Sequence, residues 1–323
     1  MLNNRKISPL SPQKPIPSYD NQWLGIGWKI LASVCFACGS GLIRLLSKGT
    51  VDLVPLPIHQ IIFLENLVGL VLIIPLILKI GVKTLKDQAS QSHALRVAFA
   101  CGGIIFWYQS LKHMQIGYAS ALAFTGPIFT VLGGFFILKE RLTRLKNIAI
   151  LSSIVGAFFI IRPDLALFGT GSLLQEIGGW ICFPIFSALC LAGAKLSARK
   201  LASTGESPAI MTIYLMLALA PTTLLPGLIS WVDVSLNHII LTTLLGLIAT
   251  LAHYATSRSY VYAGVNFLTP FSFLRLLMGI VVGYVLFQEI PQSASVWIGM
   301  IIILCGVLFL SLDRAPSHES KAI

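Results

Sequence analysis

The sequence predicts an all-α polytopic membrane protein, ten transmembrane helices arranged as two inverted five-helix repeats, and three observations predict it. Charge is scarce: among 323 residues, 23 Lys+Arg and 12 Asp+Glu leave 11% charged, against about 25% in soluble domains. Apolar residues (AVILMFWYC) reach 56%, mean hydropathy is +0.84, and long apolar runs alternate with short basic clusters. Finally, residues recur at a spacing of about 150, the signature of a repeated helical unit. Such a chain cannot cover its surface with polar groups. An ordinary cytosolic globule, a disordered chain and a disulfide-stapled secreted module are excluded.

Ten runs are long enough for a bilayer core of about 30 Å. In order they are 24–46, closed by Lys48; 57–78, bounded by Pro57 and Lys79; 94–113; 117–138, closed by Lys139 and Glu140; and 146–161, the shortest, closed by Arg162. The second half gives 175–196, 209–230 after Pro208, 239–259, 264–287 and 295–312. The connections at 114–116 and 260–263 are the tightest. None of the runs alternates in polarity as barrel strands do over about ten residues. Residues 1–22 contain Pro9, Pro12, Pro15 and Pro17 without an apolar core, and read as a flexible cytoplasmic tail rather than a signal peptide; 313–323 form a second cytoplasmic tail.

Orientation follows from the basic residues. With the N-terminus in the cytoplasm, 17 Lys and Arg fall inside and three outside (Lys48, Lys112 and Arg162), while Lys29, Arg44 and Arg275 lie within runs. That asymmetry places both termini in the cytoplasm, and a bacterial inner membrane is the expected location. It also accounts for the net charge of +11 without a nucleic-acid partner. Arg141, Arg144 and Lys146 read as topology anchors that can also meet anionic lipid.

The repeat is carried by particular residues. Trp28 and Lys48 match Trp180 and Lys200; Pro57 and Pro75 match Pro208 and Pro226; Gly134 and Glu140 match Gly283 and Glu289. Five is odd, so the second copy enters from the opposite side of the membrane. The domains are therefore 23–162 and 174–312, and an inverted repeat of this kind implies alternating access around a site near the midplane.

Cys35 and Cys38 form C-x-x-C, but with no basic group nearby they read as small packing residues, as do Cys101, Cys182, Cys190 and Cys305. Neither metal-ligand spacing nor a phosphate-cradling G-x-x-x-x-G-K-[ST] appears, so no cofactor or metal is expected.

Charges inside apolar helices are the sharpest local signal, since each costs about 3 kcal/mol or more in isolation. Glu65 lies in the second run and Arg275 in the ninth, at depths that an arginine side chain can bridge. They are expected to form an ion pair facing a cavity; a structural brace, or a protonated Glu65 bonded to Asn66 or Gln60, is the alternative. In the eighth run Thr250, His253, Ser257 and Tyr260 fall on one face, and His253 offers a titratable group. Trp107, Tyr108, Gln109, Tyr118 and Thr125 in the third and fourth runs, with Asn266 and Phe271 in the ninth, supply aromatic faces and hydrogen-bonding groups. Trp107 and Tyr108 also suit an interfacial belt. Aromatics beside a carboxylate favour a cationic or planar heteroaromatic ligand. Gly279-x-x-x-Gly283, Gly133-Gly134 and Gly102-Gly103 permit close helix approach, for internal packing or for a homodimer.

The segment Gly133-Gly134-Phe-Phe-Ile-Leu-Lys-Glu140-Arg-Leu-Thr143, Pro127 thirteen residues before Glu140, and the second copy Gly283-Tyr-Val-Leu-Phe-Gln-Glu289-Ile-Pro resemble the two EamA modules of the drug/metabolite transporter superfamily, over residues 24–312. The resemblance implies ten helices, both termini inside, a cavity lined mainly by helices 1, 3, 4, 6, 8 and 9, and peripheral helices 5 and 10. Helices 2–4 are also similar to the S-adenosylmethionine uptake branch. That branch tends to carry a basic residue where this chain has Glu65 and an acidic one where it has Arg275. The expected function is secondary transport of a small organic metabolite by alternating access: S-adenosylmethionine, another cationic or heteroaromatic metabolite, or an amino acid. A membrane-embedded enzyme, a lipid-handling protein and a passive channel are the alternatives. The partners expected are the small-molecule substrate and membrane lipid, with the chain a monomer or homodimer.

Overall fold

The computed structural model describes residues 22–50, 53–80, 91–138, 144–161, 178–203, 208–262, 271, 274–289, 291 and 294–311. The predicted tails beyond Gln22 and Ser311, the anchors Lys139 and Arg141, Glu140 and Asn266 lie outside the described residues. Among the described residues the chain is helical apart from short connections and one isolated bridge, Thr50 to Leu53. The helices are α1 (Gln22–Lys48), α2 (Ile58–Ile80), α3 (Gln91–His113), α4 in two pieces, α4a (Ile116–Ala123) and α4b (Gly126–Leu138), and α5 (Arg144–Ile161). The second half holds α6 (Cys182–Ser203), entered through a 3₁₀ turn at Gly178–Ile181, α7 (Pro208–Ile229), α8 (Leu236–Tyr262), α9 (Leu274–Phe287) and α10 (Ala294–Ser311). Six segments are long and apolar enough to cross a membrane by themselves, and four shorter apolar helices complete the ten. This is an all-α integral membrane protein.

One departure from the ten simple runs is the break in α4. Pro127 lacks an N–H, and its ring collides with the carbonyl four residues back. The ladder therefore stops at Phe124, and the Thr125 hydroxyl donates to Leu122 O at 2.8 Å, satisfying a carbonyl at the break. The described part of the ninth helix starts at Leu274; residues 264–270 of that run lie outside the description.

Packing follows a two-fold pattern. α1 lies on α8 and α6 on α3; α1 lies on α9 and α6 on α4b; α2 pairs with α7 and α5 with α10. Moving every helix five places along the chain maps this set onto itself. α5 and α10 pack chiefly on one another, backbone to backbone. A Cβ on Gly156 would lie 2.6 Å from Gly299 O, and one on Gly299 2.5 Å from Gly156 O. The G-x-x-x-G of α9 is likewise spent inside the chain. Cβ atoms at Gly279 and Gly283 would meet Ser120 Oγ of α4a at 3.2 Å and Ile116 Cβ at 3.9 Å. Outward positions such as Phe136, Leu225, Val285 and Ile301 are exposed and apolar, the surface a bilayer would cover.

The two ends of the bundle are here called the Trp23 face and the Lys48 face. At the Lys48 face Gln60 Nε2 donates to Val232 O at 2.7 Å and its Oε1 accepts from Val232 N at 3.1 Å, tying α2 to the α7–α8 connection. His238 Nδ1 accepts from Ser235 N at 3.1 Å, so Nε2 carries the proton and donates to Val54 O at 2.8 Å.

The tightest knot on this face surrounds Arg44, only 1% exposed. Its Nη1 donates to Leu111 O at 2.9 Å and to Met114 O, its Nη2 pairs with Glu289, and its Cζ sits 5.4 Å from the Phe287 ring centroid. Lys48 Nζ approaches the same carboxylate at 3.8 Å. Glu289 is aimed inward by the turn ending α9: Gln288 adopts φ 55°, Gln288 N bonds Tyr284 O at 2.9 Å and Glu289 N bonds Gly283 O at 3.2 Å, the paired closure of a left-handed helix cap. One guanidinium thus joins α1, the C-terminal carbonyls of α3 and the end of α9.

Candidate functional site

Below the Arg44 knot, residues from five helices make a continuous chain of contacts. Tyr108 of α3 donates its hydroxyl proton to Glu65 of α2. The preceding residue, Trp107, places its ring centroid 5.0 Å from Cζ of Arg275 on α9. The same Cζ lies 4.9 Å from the ring centroid of Phe36 on α1, and Phe36 in turn meets the imidazole of His253 on α8 edge-on at 5.3 Å.

This arrangement corrects the expected Glu65–Arg275 ion pair, which is not formed among the described residues. Rotation about the helix axis decides the contact. Consecutive residues on a helix point about 100° apart, so Trp107 and Tyr108 direct one charge to each side of α3. The alternative partners of Glu65 are engaged elsewhere: Asn66 Nδ2 donates to Met216 O at 2.7 Å, across to α7, and Gln60 is held by Val232. Nor do Trp107 and Tyr108 form an interfacial belt; they are 9% and 5% exposed and hold the buried charges. Tyr108→Phe should therefore lower stability by about 1–2 kcal/mol, read as a depressed thermal unfolding temperature in detergent; an unchanged temperature would refute the bond.

The remaining predicted residues divide. Thr125 uses its hydroxyl at the α4 break, and Tyr118 is buried in the core of α4a. Gln109 is half-buried on α3, while Phe271 packs against Ile26 and accepts from the Ser33 hydroxyl through its carbonyl at 3.3 Å. Thr250 turns back to Gly246 O of its own helix at 2.7 Å. The side chains of Ser257 and Tyr260, and the whole of Asn266, lie outside the described residues.

By accessible area Glu65 and Arg275 are half-buried, while His253 of α8 and Lys195 of α6 are exposed. Lys195, Lys29 and Phe36 were not singled out from the sequence. The signal was present on α1, where Lys29, Ser33, Phe36, Ser40, Arg44 and Ser47 fall at i, i+4, i+7, i+11, i+15 and i+18, one face of a helix.

Aromatic rings, a guanidinium and a carboxylate from five helices thus meet within a ten-helix bundle. The EamA-like transporter family model matches residues 23–162. The first half of the chain is thus similar to EamA-type transporters of the drug/metabolite transporter superfamily. The chain is 28% identical over 290 residues to a riboflavin transporter of Vibrio cholerae, covering 89% of this chain and 92% of that one. It is 29% identical over 274 residues to a riboflavin transporter of Brucella anthropi, covering 82% and 91%. An S-adenosylmethionine uptake transporter of Rickettsia bellii is 21% identical over 298 residues, covering 92% and 97%. A solved crystal structure superposes with TM-score 0.59 at 17% identity, covering 91% of this chain and 98% of that one, a likeness of fold.

Proposed function

We propose that this protein is a secondary carrier that moves a planar heteroaromatic metabolite of the flavin class across the bacterial inner membrane by alternating access. The Trp23 face is cytoplasmic in this reading, as the distribution of Lys and Arg supports. The observation that carries the proposal is the approach of Arg275 to the rings of both Phe36 and Trp107, with Tyr108–Glu65 on the next position of α3. Aromatic and guanidinium planes stack on a flat ring system, while a carboxylate–phenol pair can exchange its hydrogen bond for ring N–H and carbonyl groups. The halves 23–162 and 174–312 would rock about this centre, with the Arg44–Glu289 knot closing the Lys48 face.

The same geometry disfavours the cationic substrates expected from sequence. A sulfonium such as that of S-adenosylmethionine would meet the charges of Arg275 and Lys195, while Glu65 already accepts from Tyr108. Two relatives that cover most of this chain are named riboflavin transporters, which supports the flavin class over the sulfonium.

The test is uptake of radiolabelled riboflavin by proteoliposomes containing the purified protein. Saturable uptake, accelerated by unlabelled riboflavin preloaded on the trans side, is expected; a channel would show no such acceleration. Uptake equal to that of protein-free liposomes would sink the flavin assignment.

A further inference from the structure

Three indoles sit half out of the bundle at the Lys48 face. Trp180, Trp231 and Trp297 are 40%, 39% and 38% exposed, whereas Trp107 is buried. Trp180 lies in the 3₁₀ turn that enters α6 and stacks on His113, the last residue of α3, with ring centroids 3.5 Å apart and planes 8° apart. Trp231 follows α7 and meets Phe63 of α2 edge-on at 6.2 Å. Trp297, in the first turn of α10, donates its Nε1–H to Pro291 O at 3.0 Å, just past the Glu289 turn. Since α6 packs on α3, α7 on α2 and α10 on α5, the three rings lie on different sides of the bundle at one level. Ile229 and Leu236, at the facing ends of α7 and α8, bracket Trp231 and are 89% and 71% exposed, an apolar surface that needs cover. Lys48, with half its side chain exposed, and the exposed Asp233 and Asn237 supply polar groups beside it.

A second level is found by length alone. Trp28 lies 20 residues before Lys48 on α1, and Tyr254 lies 18 residues after Leu236 on α8, about 30 Å and 27 Å at 1.5 Å per residue. Their rings meet edge-on with centroids 5.9 Å apart. Two antiparallel helices, each measured from the Lys48 face, thus reach the same aromatic pair at the depth of one hydrocarbon core, about 30 Å. Between the two levels Ile30 and Leu31 of α1 and Leu244, Leu247 and Leu251 of α8 are exposed and apolar. One turn past Tyr254 the chain is polar again, where Arg258 Nη2 donates to Tyr262 Oη at 2.9 Å.

We propose that Trp180, Trp231 and Trp297 form one phospholipid interface of this protein and Trp28 with Tyr254 the other, each ring seated where acyl chains meet the ester and headgroup atoms. Indole and phenol suit that zone because the ring is apolar while its N–H or O–H takes a polar partner. Trp297 already gives its N–H to Pro291 and contributes its ring. With the bilayer so placed, Arg44, four residues before Lys48, falls about 6 Å inside the Lys48-face boundary. Phe36, 12 residues before Lys48, and Arg275, 12 residues before Phe287, both lie about 18 Å below it, near the midplane of the core.

Depth-dependent quenching of the full chain in liposomes of brominated phosphatidylcholine tests this. Each variant keeps a single tryptophan, with the others replaced by Phe, and is first shown by size exclusion to be folded. Bromine near the headgroup end of the acyl chain should quench Trp180, Trp231, Trp297 and Trp28, each kept alone, about twofold more than bromine at the chain terminus. Trp107 kept alone is the reference and should be quenched far less by either. Equal or stronger quenching of any of the four by the terminal bromine overturns the placement, as does quenching of the four no greater than that of Trp107. Where a single-tryptophan chain does not fold, Trp180→Phe, Trp231→Phe and Trp297→Phe are compared one at a time with wild type. Each should remove part of the fluorescence that headgroup-end bromine quenches, and quenching unchanged from wild type overturns the proposal.

Discussion

Arg44→Ala is expected to destabilise the protein by about 3 kcal/mol, because removing one member of a buried ion pair leaves its partner uncompensated. The loss extends beyond Glu289. Arg44 also supplies donors to the Leu111 and Met114 carbonyls at the end of α3, where the helix dipole favours a cation. Three helices therefore lose their common tie at once. Arg44→Lys should recover only part of the loss, since an ammonium cannot present a planar fork to a carboxylate and two carbonyls together. Glu289→Gln should cost less than Arg44→Ala; Glu289 retains 18% side-chain exposure, and an amide oxygen still accepts from Nη2. Thermal unfolding in detergent at fixed lipid ratio gives the order directly: Arg44→Ala lowest, then Arg44→Lys, then Glu289→Gln. Should Arg44→Ala melt within about one degree of wild type, the knot is not a stability element. Transport then becomes the informative readout, because weakening the closure of the Lys48 face should raise the population open on that side.

Much of this fold is legible in the sequence because the bilayer simplifies the problem. Every spanning segment must satisfy its own backbone, so apolar length alone finds helices, and all ten runs coincide with helices or helix pairs. What apolar length cannot reveal is rotation about the helix axis. The expected pairing of Glu65 with Arg275 failed on that point: Tyr108 of α3 holds Glu65, and the neighbouring Trp107 meets Arg275. The break in α4 follows from Pro127, whose effect on the preceding turn is local chemistry and could have been anticipated. Phe36 was missed for a different reason. Phenylalanine in an apolar run carries no signal by itself, and only its position on the Lys29–Ser33–Ser40 face of α1 distinguishes it from core packing. Lys195 carried no signal of its own, since positive-inside counting is satisfied by any basic residue near a helix end.

Arg275→Ala should reduce the transport kcat/KM by about 100-fold, near 2.7 kcal/mol of lost stabilisation, with a normal amount of folded protein in the membrane. The guanidinium lies within about 5 Å of the ring centroids of both Phe36 and Trp107, so its removal deletes a planar cation beside two rings. Charge and planarity are separable here. Arg275→Lys keeps the charge but cannot stack as a plane, and it should recover less than a tenth of wild-type activity if ring stacking is what the site uses. Trp107→Phe keeps an aromatic face of smaller area and should raise KM several-fold with little change in kcat, as expected when a contact binds ground and transition states alike. If Arg275→Lys instead restores full transport, the group acts as a point charge. The aromatic pair would then be packing.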